Sequence, residues 1–188
     1  MATGRGELTT LEYALLGLLR DWPASGYDVK KTFEATPLRQ FSSSPGVIYP
    51  ALKRLQRRGL VAARLDRTTE ARPRRVFSLT DRGRAALMDW LRRQVTEEEF
   101  VKDGGAPFLR LSYMQGLLTP DEVIAYLEGL GRVVRGYVAK LRAHVRDAEA
   151  PAMLHSRLSM EAGIRGYEAT VEWVEYAIAE VRAQAEGR

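Results

Sequence analysis

One short stretch, residues 44–60, constrains the fold of this chain more than any other, because it spells out the start, the two faces and the stop of a single helix. Ser44 suits an N-cap, where a hydroxyl satisfies an orphan amide of the first turn. Pro45 suits the first helical position, where its missing N–H costs nothing. Gly59 follows a cationic end and is free to turn left-handed as the residue after the C-cap. At about 100° per residue, Ile48, Leu52 and Leu55 share one side with Ala51 beside them. Gly46, Pro50, Lys53, Arg54 and Arg57 lie opposite. One face is built to dock on a core. The other meets an anionic partner such as a DNA groove, or only solvent.

The flanking sequence decides between those two. Thr9-Thr10-Leu11-Glu12 has the pattern of a capping box, and Leu11, Ala14, Leu15, Leu18 and Leu19 follow at helical spacing to about Arg20. Ser25-Gly26-Tyr27-Asp28 starts a second helix that ends before Pro37. After residue 60, Val61, Ala63 and Leu65 alternate with Ala62, Arg64 and Asp66, and Phe77 and Leu79 alternate with Val76 and Ser78. The segment between them, residues 67–75, is polar, turn-prone and basic. Three helices followed by two strands around a basic loop make a winged helix-turn-helix. In that arrangement the third helix enters the major groove and flanking elements hold the phosphates. Arg72, Arg74 and Arg75 of the hairpin then reach a neighbouring backbone or minor groove.

Charge agrees with that placement. The 188 residues carry a net charge of +5. Residues 1–95 hold 18 Lys/Arg against 9 Asp/Glu, a net of +9, whereas residues 96–188 hold 11 against 15, a net of −4. An anionic partner is therefore expected at the N-terminal half. No stretch approaches the roughly 18–20 apolar residues of a membrane span, no secretory signal is visible in the first residues, and cysteine is absent. These features predict a cytoplasmic protein with no membrane partner.

Several blocks resemble the PadR family of transcriptional regulators. They are Leu16-Gly17-Leu18-Leu19, Ser25-Gly26-Tyr27-Asp28-Val29-Lys30, and the run from Ser44-Pro45-Gly46-Val47-Ile48-Tyr49-Pro50 into Ala51-Leu52-Lys53-Arg54-Leu55. Gly59-Leu60-Val61, Arg72-Pro73-Arg74-Arg75-Val76-Phe77-Ser78-Leu79-Thr80 and Gly83-Arg84 complete the set, in family order, across residues 8–95. The Tyr-Pro inside the third helix is the most specific piece, since an interior proline removes a backbone bond and kinks a helix. Ala71 departs from the glycine that often precedes Arg-Pro in the family. The resemblance implies a bacterial winged-helix repressor that binds DNA as a dimer and is released in some members by small aromatic or xenobiotic ligands. It implies DNA-facing roles for Ser44, Gly46, Tyr49, Lys53, Arg74 and Arg75. Tyr49 flanks the apolar side and has packing as its alternative. Val47 is placed either against a thymine methyl or in the core.

Beyond Thr80-Asp81, which starts a helix carrying Leu87, Trp90 and Leu91, the triple acid Glu97-Glu98-Glu99 and Asp103-Gly104-Gly105 mark a hinge. A short helix is expected from Phe108, and Thr119-Pro120-Asp121-Glu122 is a strong start for a long one. There Val123, Leu127, Leu130, Val134, Tyr137 and Leu141 recur by fours and threes, as do Met160, Ile164, Tyr167, Val171, Val174, Ile178 and Val181 in the last helix. Such a seam is coiled-coil-like. It serves a second copy of the chain, or the two helices pack on each other, or both hold. A homodimer reading a palindromic operator is expected, with Leu127, Val134, Ile164, Val171, Val174 and Ile178 on the dimerisation seam.

Trp90, Tyr113, Trp173 and Tyr176 are candidates to line a small-molecule effector pocket, with core packing as the alternative. Nothing points to an enzyme: His144 and His155 have no metal-ligand spacing, no glycine-rich loop follows a strand, and no nucleophile has an identifiable base. No cofactor is expected. The reading is a mainly α chain. Residues 1–95 form a winged helix-turn-helix domain of three helices and a two-stranded wing, 96–106 a hinge, and 107–188 a helical dimerisation and effector domain. The competing reading is a winged helix used for protein–protein interaction without specific DNA binding.

Overall fold

The computed structural model describes residues 7–36, 38, 44–66, 74–146 and 153–187. It divides into two compact units, residues 1–91 and 92–188.

Unit 1 opens with α1 (Thr10–Asp21), the short strand β1 (Ala24–Ser25) and α2 (Gly26–Ala35). Both helices begin with a reciprocal capping box, Thr9 with Glu12 and Ser25 with Asp28. Each box satisfies two backbone donors that a helix end would otherwise leave orphaned. The third helix, α3 (Pro45–Arg57), runs through Pro50 and buries Ile48, Ala51, Leu52 and Leu55 completely. Ser44 holds the N-cap position, but its hydroxyl makes no cap bond. The amides of Val47 and Ile48 both donate to the Ser44 carbonyl instead, each at 3.0 Å. At the other end Gly59 adopts φ of 69°, its N–H donates to the Gln56 carbonyl at 2.9 Å, and that of Leu60 donates to Leu55 at 3.0 Å. That pair of bonds is a Schellman stop, which favours glycine.

The wing strands β2 (Val61–Asp66) and β3 (Arg74–Leu79) pair antiparallel, with Val61 opposite Leu79 and Asp66 opposite Arg74. The strand order is β1-β3-β2: Ala24 pairs with Phe77 and Ser25 with Val76. This third, two-residue strand has no sequence signature and joins the wing directly to the start of α2. The hairpin tip, with Arg72, lies outside the described residues. Unit 1 closes with α4 (Asp81–Leu91), whose Trp90 stacks on Tyr13 of α1 at 4.4 Å between ring centroids.

Unit 2 comprises α5 (Glu97–Lys102), α6 (Ala106–Ser112), α7 (Pro120–Arg146) and α8 (Leu154–Glu186). The stretch expected to be a hinge carries α5, whose buried Phe100 meets Tyr137 and Tyr167 edge-on with centroids 6.3 and 5.5 Å away. Helices α7 and α8 run antiparallel: Arg142 reaches Glu161 and Glu168 at 2.8 Å, and Arg182 approaches Glu128 at 3.9 Å. Leu127, Leu130 and Val134 are buried there with Ile164 and Val174. Arg110, 1% exposed, donates to the Arg93 carbonyl at 2.9 Å, pairs with Glu99 and lies over the Tyr126 ring. Burial pushes the Tyr126 phenol well above its usual range, and its O–H donates to the Pro107 carbonyl at 2.9 Å. No helix among the described residues is long and apolar enough to cross a membrane.

Candidate nucleic-acid interface

With its apolar face spent on the core, α3 turns its remaining side chains outward. Ser44, Gly46 and Lys53 are exposed, and Val47 and Tyr49 are each 42% exposed. For Val47 this settles the alternative posed by the sequence: it lies on the outer surface and not in the core. Tyr49 packs and is also exposed to solvent. Its ring lies so close to the Gly26 backbone that a Cβ at Gly26 would collide with it, yet the residue still reaches solvent. Glycine at the first position of α2 is thus a requirement for seating the aromatic ring of α3.

Gly26 and Tyr49 form one wall of a cleft of about 480 Å³ between the start of α2, the middle of α3 and the N-terminal part of β3 in the wing. Lys53, Arg74 and Arg75 also line it, with Tyr27 and Phe77. Four residues expected to face DNA, Tyr49, Lys53, Arg74 and Arg75, therefore converge from two elements more than 20 positions apart in sequence. The lining holds three cations and no carboxylate. Opposed to little, their charges sum over a concave surface, where a potential is focused rather than spread.

The cations are not equally free. The Arg75 guanidinium donates to Gln56 at 2.9 Å and lies over the Phe77 ring at 5.8 Å, which fixes its plane against the end of α3. Arg74 faces the start of α2, where Asp28 sits. The Asp28 carboxyl is held below the usual carboxylate range, chiefly by the Ser25 hydroxyl. Burial opposes this, while the Ser25 backbone bond and the charges of Arg74 and Lys31 add to it.

Arg54 behaves differently from its neighbours. Its Nε donates to the buried Glu12 carboxylate at 2.8 Å, and Glu12 also accepts from the Thr9 amide at 3.0 Å. The side chain spends its best-aligned donor inside the protein, tying the cap of α1 to α3 while remaining 43% exposed. Ser44, Gly46 and Val47 stand on the first turn of α3, apart from the cleft lining. Tyr27, 60% exposed, was not expected in this region. Its sequence signal was an aromatic beside a glycine at a helix start, which periodicity alone does not distinguish from a core residue.

In unit 2 the residues assigned to a dimerisation seam separate. Leu127, Val134, Ile164 and Val174 are buried between α7 and α8 of one chain, so these four do not supply an intermolecular seam. Val171 and Ile178 are half-buried. The aromatic set divides too. Trp90 belongs to the core of unit 1 against Tyr13, whereas Trp173 and Tyr176 line a cavity in unit 2. Tyr113 ends α6 half-buried and is not part of that lining.

Comparison with known proteins places the N-terminal unit. Residues 15–89 match the transcriptional regulator PadR-like family. The negative transcriptional regulator PadR of Bacillus subtilis strain 168 is 34% identical over 115 residues, which are 61% of this chain and 62% of that protein. The match therefore spans less than two thirds of the relative's length. Among solved structures, Bacillus subtilis PadR in complex with operator DNA is 27% identical, covering 92% of this chain and 99% of that one with a TM-score of 0.44. The same protein in complex with p-coumaric acid is 28% identical over 93% and 99%, with a TM-score of 0.42. The PadR-like regulator BC1756 from Bacillus cereus is 23% identical over 95% and 99%, also at 0.42.

Proposed function

Because residues 15–89 form a domain of the PadR-like transcriptional regulator family, we propose that this chain is a sequence-specific DNA-binding repressor. It acts as a homodimer on a palindromic operator in the cytoplasm and releases it on binding a small molecule. The observation that carries the reading is the cleft where Tyr49, Lys53, Arg74 and Arg75 meet beside the exposed first turn of α3. Ser44, Gly46 and Val47 of that turn read base edges at close approach, where small side chains admit the groove floor. Lys53 and the wing arginines hold phosphates and set the register. Arg72 continues the wing contact. Arg54 contributes by holding α3 against α1, with its exposed edge toward the duplex.

The Bacillus subtilis relative is named a negative transcriptional regulator, and Bacillus subtilis PadR is described in complex with operator DNA and with p-coumaric acid. The dimer is supported by α8, whose 33 residues include only two that are fully buried, Ile164 and Val174. Leu154 and Leu158, four positions apart at its start, are 55% and 54% exposed. Leucines repeated at that spacing on an uncovered helix suit a partner helix.

Gel shifts against the DNA upstream of the chain's own gene test the proposal. The expected result is a shift that weakens steeply with salt, and about a tenfold weaker one for Lys53→Ala with the oligomeric state unchanged. No salt-sensitive shift on any promoter fragment would favour the protein-interaction reading of the winged helix. An unchanged affinity for Lys53→Ala would remove that residue from the interface.

A further inference from the structure

Unit 2 holds a concavity that the DNA reading does not use. It measures about 620 Å³ and lies between the turn after α6, the first turns of α7 and the C-terminal half of α8. That size falls within the roughly 300–1,000 Å³ range of small-molecule sites. Its walls are mainly apolar, with Met114 and Val123 on one side and Val181 on the other, and Gln115 and Gln184 add neutral polar groups. Trp173 stands in the wall and is backed by Phe108 at 5.2 Å between ring centroids. Tyr176, one turn away by spacing and 61% exposed, presents a second aromatic ring at the mouth.

The charge of the lining is the informative part. Glu180 is the one ionisable acid in it, and no lysine, arginine or histidine joins it. Among the described residues Glu180 has no ion-pair partner, whereas Glu175, elsewhere on the same helix, pairs with Arg135. Glu180 is exposed, so its carboxylate is open to an arriving cation, which it attracts, and it repels an anion. Aromatic faces add to the same preference, since a ring attracts positive charge over its face.

We propose that this cavity binds an apolar organic cation, its aromatic body against Met114, Val123 and Trp173 and its charge between the Tyr176 ring and the Glu180 carboxylate. An aromatic carboxylate is the wrong charge for it. The inference refines the effector in the proposed function, and only its regulatory consequence rests on that reading; binding itself needs no DNA.

Tetraphenylphosphonium and tetraphenylborate provide the test, being closely similar in shape and opposite in charge. Each is titrated into the full chain without DNA, and tryptophan fluorescence is followed. The expected result is quenching by the phosphonium ion, lost in Trp173→Phe, with affinity about tenfold weaker in Glu180→Gln and little response to the borate. Circular dichroism confirms that both variants are folded, and Tyr176→Leu supplies a second variant with the same expected weakening. Borate binding as tight as phosphonium binding would overturn the proposal. So would an unchanged phosphonium affinity in folded Glu180→Gln, or the absence of any quenching. Quenching seen only where sedimentation shows monomer would overturn it too, because a second copy would then occupy the cavity. Gel shifts on the same preparation separate the two readings. Phosphonium binding by a chain that shifts no DNA removes the regulator reading alone, and a DNA shift without phosphonium binding removes the cation site alone.

Discussion

Ser25 shows how much one side chain governs beside the cleft. It is 5% exposed, its Oγ donates to Asp28 at 2.7 Å and accepts from the Asp28 amide at 3.2 Å, and its own amide donates back to Asp28 at 3.0 Å. Because Ser25 also pairs with Val76 in the sheet, the cap of α2 and the wing share one residue. Ser25→Ala is expected to cost about 1 kcal/mol at neutral pH. The depressed Asp28 carboxyl sets the sign of the pH dependence. A carboxylate held below its unfolded range adds stability that is present above that range and is lost as pH falls through its folded value. The gap between wild type and Ser25→Ala should therefore close as pH drops below about 4. Thermal melts across pH 2.5–7 check this, and a constant gap would show that the cap does not act through Asp28. The box itself was legible in the sequence, since its two partners are three positions apart. The pairing of Arg54 with Glu12, 42 positions away, was not, because only packing brings those helices together.

At the scale of elements, the four-three repeats in α7 and α8 predicted two long amphipathic helices but not what each would face. Periodicity measures the width of an apolar stripe and carries no record of its partner. Val174 is 1% exposed, and a Cβ on Gly131 of α7 would stand 3.2 Å from its Cγ1, so the two helices approach closely there. Val174→Glu should destabilise unit 2 by more than about 3 kcal/mol, because it puts an unpaired charge in an apolar seam. Circular dichroism and melting would show this as a loss of helix or a sharply lowered transition. A variant that keeps its melting behaviour and only loses a dimer would return Val174 to an intermolecular surface. The stretch expected as a hinge carries a helix for a related reason. Glycines and acids are turn signals, but Phe100 among them is an anchor whose aromatic partners lie 37 and 67 positions onward.

For the whole molecule, the proposed dimer makes a quantitative claim about salt. Four phosphate-neutralising cations per protomer, Lys53, Arg72, Arg74 and Arg75, give a slope of log affinity against log salt of about −7 for two protomers and about −4 for one. Binding isotherms from 50 to 200 mM salt distinguish these, and a slope near zero would exclude phosphate contacts from the interaction. The uneven charge between the two halves of the chain pointed to the half that would make such contacts, because net charge is additive along the sequence. By itself the sequence determined what is local: two capping boxes, the ends of α3, its buried and exposed faces, and the alternating strands of the wing. These follow from interactions within a few residues, which spacing records. Only the tertiary structure decided that Tyr49 leans on Gly26, that Lys53 shares a cleft with the wing arginines while Arg54 turns toward Glu12, and that the α7 stripe is covered by α8 of the same chain. Each of these depends on which surfaces meet after the chain collapses, and the apolar driving force that brings them together is not directional.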